Sequence, residues 1–170
     1  MGEALTEIEA ISNRDGEMVG VPTGFTDLDS LTNGLHAGQL VMIAARPALG
    51  KSTMGLDICR TASIKHGLTS VIFSLEMSRN EIVMRLLSAE AQVPLQHMRS
   101  GTMSESDWSK LAGKMGTVSD APLFIDDSPN MNLMEIRAKC RRLKQRHDLR
   151  LVVVDYLQLM SSGKRVESHQ

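Results

Sequence analysis

The stretch VMIAARPALGKSTMGLD, residues 41–57, constrains the fold more than any other part of this 170-residue chain. An uninterrupted apolar run ends in Gly50-Lys51-Ser52, and the residues that follow have the composition of a helix. Strand, glycine turn and helix in that order make a phosphate-binding loop. The turn aims successive backbone N–H groups at one point, and the helix start adds the partial positive charge of its dipole. The usual pattern is G-x-x-x-x-G-K-[ST], and Ala45 stands where the first glycine would be. Gly50 is the glycine the chemistry needs, because there the backbone lies closest to the phosphates. Ala45 only ends the strand, where a methyl group is tolerated if φ is not positive. The pattern therefore assigns the amides of Ala48, Leu49, Gly50, Lys51, Ser52 and Thr53 to phosphate, the Lys51 ammonium to the β and γ oxygens of ATP, and the Ser52 hydroxyl to Mg²⁺.

The rest of the chain alternates strand-like runs with helical patterns. Residues 39–45 (QLVMIAA) form a fully apolar strand, and a helix follows from Lys51 to about Lys65, closed by Gly67. SVIFSLE, 70–76, is a second strand. Ser78 and Glu81 are spaced as a capping box for a helix burying Ile82, Val83, Leu86 and Leu87. Ser104 is the N-cap of another, with Trp108, Leu111, Ala112 and Met115 on one side. PLFIDD, 122–127, is a third strand. Residues 132–147 make a helix burying Leu133, Ile136, Cys140 and Leu143, and a fourth strand opens the segment 149–160. At the other end, Leu5, Ile8 and Ile11 form a short stripe, so residues 1–18 read as a helix on a tether and 19–170 as the folded domain.

Strands without polar alternation are buried on both faces, and strands separated by helices join by right-handed crossovers. A mainly parallel α/β sheet with helices on both faces follows. Ligands of such sheets bind beyond the carboxyl ends of the strands. A magnesium carboxylate after an apolar strand has two candidates, Asp155 behind LVVV and Asp126 behind LFI, and the more β-branched run favours Asp155. Asp126 also reads as a strand end shaping a turn before Pro129. For the base that activates water, Tyr156 follows Asp155 and cannot serve. Glu76, at the end of the second strand, is the candidate, although a first-turn helix acid has the same position.

Composition limits partners. The formal net charge is −1, which gives no global attraction to nucleic acid or an anionic membrane. No apolar run approaches the roughly 20 residues of a membrane span, and the N-terminus is acidic where a signal peptide is basic. Cys59 and Cys140 lack metal-type spacing and read as buried thiols, so a cytoplasmic protein is expected. The basic run Arg137, Lys139, Arg141, Arg142, Lys144 and Arg146 reads as a solvated or subunit-facing helix surface rather than a DNA contact, for want of interleaved aromatics.

GVPTGFTDLDSLTNGLHAGQL, AARPALGKST, FSLEMS, IDDSPN, EIRAKCRRLK and VVVDYLQLM, in this order, resemble the C-terminal motor domain of replicative DnaB-type helicases over residues 5–170. The resemblance implies a RecA-like P-loop NTPase fold preceded by a short linker helix that docks on a neighbouring subunit. It implies Lys51 and Ser52 at phosphate and Mg²⁺, Glu76 as general base, Asp155 as the Walker B carboxylate, Arg85 near the nucleotide, and Ala45 as the family form of the loop. The implied activity is ATP hydrolysis coupled to 5′ to 3′ movement on single-stranded DNA in a homo-hexameric ring, with contacts to primase and a loader. In that family a glutamine sensor, DNA loops and a basic finger follow beyond the position of Gln170. The chain alone is therefore expected to turn over little ATP. The alternatives are a nucleotide-binding or partner-binding module without hydrolysis, or another RecA-like ATPase.

Overall fold

A computed structural model of the chain describes residues 18–46 and 48–155. The N-terminal stripe at Leu5, Ile8 and Ile11 and the residues after Asp155 lie outside these. In chain order the elements are α1 (Thr26–Thr32), α2 (Lys51–Arg60) continued by a π-helical turn (Thr61–Lys65), β1 (Ser70–Ser74), α3 (Arg79–Ala91), α4 (Leu95–Ser100), α5 (Glu105–Asp120), β2 (Leu123–Asp126), α6 (Leu133–His147) and β3 (Leu151–Asp155). The strands make one parallel sheet in the order β2-β1-β3. β1 is central and buried along its whole length, as its apolar composition requires.

Two layers cover the sheet. On one face Leu56 and Cys59 of α2 pack with Ile72, Met77, Ile82 and Leu86, and Val118 of α5 closes the edge. On the other, Val71 and Phe73 meet Met131, Ile136 and Leu149 beneath α6. A smaller cluster of Ala91, Val93 and Leu111 ties α5 to the end of α3. Ser104 and Asn132 form complete capping boxes with Asp107 and Glu135, which fixes where α5 and α6 begin.

The segment before the phosphate loop is closed on itself by a buried carboxylate. Asp29 of α1 accepts from Thr23 Oγ1 at 2.7 Å, Thr23 N at 2.9 Å and Gly24 N at 3.0 Å. Burial raises the Asp29 pKa, but these bonds outweigh it and hold the carboxyl below its ordinary 3.8. Gly24 sits at φ 86°, and a Cβ there would come within 2.3 Å of Thr61 Oγ1. Only glycine lets this turn rest on the end of the loop helix.

Several expectations are corrected. Residues 39–45 do not form a strand: Leu40 and Met42 are 85% and 75% exposed, and no described strand pairs with them. An apolar β-branched run becomes a strand only beside a ladder partner, and the described sheet ends at β3. The described sheet thus has three strands where four were expected. Trp108 and Met115 are exposed while Leu111 is buried, because the buried side of α5 is narrow and centred on Leu111 and Val118. Leu133 is exposed in the first turn of α6, ahead of the part that crosses the sheet. Ser78 caps α3 by accepting from Glu81 N, but the Glu81 carboxylate is held by Arg85 and Arg99 rather than turned back to the cap. Cys59 is buried and its thiol pushed up to about 12 by burial, whereas Cys140 is only half-buried.

Candidate nucleotide site

The site is built at the carboxyl ends of β1 and β3 against the start of α2. Ala48 and Gly50 have positive φ, 64° and 83°, and Leu49 between them does not. Alternation of this kind turns successive N–H groups toward one side, which makes a concave anion-binding surface. Among the described residues no atom other than those of its chain neighbours lies within 4 Å of where a Gly50 Cβ would be, so the demand for glycine comes from φ and not from crowding by them. Ala45 is not among the positive-φ residues, so its methyl group is tolerated, as expected from its place before the loop. Met54 N donates to Gly50 O at 2.9 Å, which starts the helix and leaves the amides of its first turn, from Lys51 to Thr53, outside the helical ladder.

Lys51 and Asp155 are brought together. The ammonium lies 3.4 Å from Asp155 Oδ1, with the lysine side chain 30% exposed and the aspartate 6%. The other carboxylate oxygen, Oδ2, is buried with no hydrogen-bond partner among the described residues. A buried carboxylate oxygen without a donor is costly unless something positive comes to it. Gly55 makes the approach possible: a Cβ there would stand 3.3 Å from Val153 Cγ1, so α2 can lie close on β3. Gly55 was not singled out from sequence; its signal was a glycine one turn into an otherwise helix-favouring run.

Glu76 reaches the same end of the sheet. Ser74 is in register with Asp155, and Leu75 N donates to Asp155 O at 2.8 Å. The chain then turns tightly, with Ser74 Oγ accepting from Met77 N at 3.0 Å and donating to Met77 O at 2.8 Å. Met77 is buried and Glu76 is exposed at the turn. Ser74 too escaped the sequence reading, since a serine ending an apolar strand carries no distinctive signal.

Two other candidates sit elsewhere. Asp126 ends β2, with β1 between it and β3, and its carboxylate is taken by Lys139 and by Ser128 Oγ at 2.6 Å. Burial opposes its ionisation, but Lys139 and Ser128 hold its pKa below 3.8. Arg85 is bound to Glu81 at 3.0 Å within α3, a carboxylate shared with Arg99 of α4 at 2.7 Å. Its Nε is buried without a partner among the described residues.

A glycine-turned loop opening a helix, with its lysine against a buried carboxylate on a parallel strand, defines a phosphate-loop nucleotide-binding domain. More narrowly, the chain belongs to the DnaB-like helicase family: residues 20–170 match the model of the DnaB-like helicase C terminal domain. It is 67% identical to the replicative DNA helicase DnaB of Leifsonia xyli over 98% of its own length and 36% of that protein's. Identity to the replicative DNA helicase DnaB of Geobacillus stearothermophilus is 46%, over 99% of this chain and 37% of the relative. A solved ATPase domain superposes with a TM-score of 0.89 at 34% identity, covering 98% of this chain and 60% of the other. A DnaB-like replicative helicase, solved in a study of its interactions with primase, does so at 0.87, also at 34% identity, covering 96% of this chain and 41% of the other. The fold is RecA-like, and the chain spans little more than a third of these two curated relatives.

Proposed function

We propose that this chain is the nucleotide-binding part of a replicative helicase motor, which hydrolyses ATP to move 5′ to 3′ along single-stranded DNA within a hexameric ring. The observation that carries this reading is the Lys51–Asp155 pair at 3.4 Å, with Asp155 Oδ2 buried and without a partner among the described residues.

In this proposal the amides from Ala48 to Thr53 hold the phosphates. Lys51 turns from Asp155 to the β and γ oxygens. Ser52 and Asp155 would hold Mg²⁺, which when bound would neutralise charge on the phosphates. Glu76 takes a proton from water as its oxygen bonds to the γ-phosphorus and the bond to the β–γ bridging oxygen breaks, leaving ADP and phosphate. Arg85 is assigned to the surroundings of the nucleotide and not to its phosphates, because Glu81 holds its guanidinium. A basic residue from a neighbouring subunit completes the charge stabilisation, and such a residue is worth ~10³ to 10⁵ in rate. Primase, a loader and DNA are partners of the whole helicase.

Steady-state phosphate release from the 170-residue chain, with Glu76→Gln as control, tests this division of labour. Mg²⁺-dependent ATP binding is expected, with turnover close to background in both. Robust Glu76-dependent turnover by the chain alone would contradict the need for a neighbour's cation. Failure to bind ATP would contradict the site itself.

A further inference from the structure

Between α6 and the β2 edge of the sheet lies a cleft of about 330 Å³. Its apolar lining includes half-buried Phe124 and Leu143 over the buried Val71 and Phe73, and its basic rim carries Arg142 and Arg146. Lys139 also lines it but is neutralised by Asp126. Arg142 and Arg146 stand one helical turn apart, exposed, and no carboxylate of the described residues pairs with either. Like charges at that spacing repel, and an exposed helix face normally offsets such pairs with acids one turn away. On this helix the neighbouring acid, Asp148, is taken by Lys144 and Arg150 on the side away from the cleft.

We propose that the α6–β2 cleft is a docking site for an acidic peptide that carries an apolar anchor residue. The half-buried Leu143 and the edge of Phe124 accept the anchor, which needs no open ring face, and the two guanidiniums bind flanking carboxylates in the planar, bidentate way that arginine favours. A polynucleotide fits less well. Stacking of bases needs an exposed aromatic face. Phe73 is fully buried, and the Phe124 ring is occupied by His147, with centroids 4.9 Å apart at 46°. The cations also cluster around one small opening instead of following a track. Its β2 edge stands two strands from β3, which carries Asp155, in the described sheet.

The test uses the full chain and a fluorescein-labelled synthetic hexapeptide, Glu-Glu-Leu-Phe-Glu-Glu, followed by fluorescence anisotropy. Arg142→Ala with Arg146→Ala should weaken binding at least tenfold, while Arg141→Ala with Lys144→Ala, outside the cleft, should change it less than twofold. Replacing Leu-Phe in the probe by Ser-Ser should also cost tenfold. Circular dichroism of both double variants should match the parent, since all four side chains are exposed. Equal weakening by the two double variants, indifference to the Ser-Ser change, or no binding at millimolar probe would overturn the proposal. So would tighter, Arg142-dependent binding of a twelve-residue oligothymidylate. Displacement of the probe by a synthetic peptide of residues 1–12, whose acids and apolar stripe have the same chemistry, would identify the occupant as this chain's own N-terminal segment and overturn assignment to a separate partner.

Discussion

Asp155→Asn separates a carboxylate kept for chemistry from one kept for stability. At 3.4 Å the attraction between Lys51 and Asp155 is about 5 kcal/mol at an effective dielectric constant near 20, before screening. Lysine is 30% exposed, which reduces that figure, and desolvating the aspartate costs several kcal/mol with one oxygen left unpaired. The two effects nearly cancel. Asparagine keeps the shape and the backbone bond from Leu75 N, and removes the buried charge. The nucleotide-free variant should therefore unfold within about 1 kcal/mol of the parent, on the side of gain. With Asp155 holding Mg²⁺ as proposed, its loss should weaken Mg²⁺–ADP by ~10- to 100-fold. At a ligand concentration 100 times the parent Kd, the ligand stabilises the parent by about 2.7 kcal/mol and the variant by only about 0.4 to 1.4. Urea denaturation with and without Mg²⁺–ADP measures both quantities, and EDTA supplies the metal-free control. Asp126→Asn should show the reverse, a loss of about 1 kcal/mol from the Lys139 and Ser128 contacts with ligand stabilisation intact. An Asp155→Asn variant that loses more than about 2 kcal/mol without ligand and keeps the full ligand effect would refute the reasoning.

Two further outcomes follow from the segment before the loop. The folded-state pKa of Asp29 lies below its unfolded value, so its contribution is complete above about pH 4 and is lost as pH falls through the folded value; Asp29→Asn should flatten the acid limb of a stability–pH profile. Gly24→Ala should destabilise by more than about 1 kcal/mol in urea denaturation, because the turn needs positive φ and the methyl group would meet Thr61 Oγ1 at 2.3 Å.

Much of the site was legible because phosphate binding imposes local demands. Gly50, Lys51 and Ser52 had to be adjacent, and the left-handed φ at Gly50 is the conformation that glycine was there to supply. Asp155 and Asp126 were both legible as acids closing apolar strands, with the more β-branched run favouring Asp155; the pattern could not show that β3 is only partly buried, that β1 stands between their strands, or that Lys51 lies beside Asp155. What periodicity could not show was pairing. LVMI at 40–43 has every local property of a strand and lacks a described neighbour. Trp108 illustrates the same limit on a helix, since its spacing with Leu111 fitted one face while only Leu111 meets the body of the domain. The helices α1 and α4 were missed because they are short, and the buried carboxylate that anchors the first looks from sequence like any surface acid.

In the proposed function the loop at residues 48–53 binds nucleotide through Lys51, with Mg²⁺ beside it. Calorimetric titration of the chain with Mg²⁺–ATP, beside Lys51→Ala, tests it most directly. Saturable binding that EDTA weakens is expected in the parent, and no measurable heat of binding in the variant at the same concentrations. Equal affinity in the two proteins would contradict the claim.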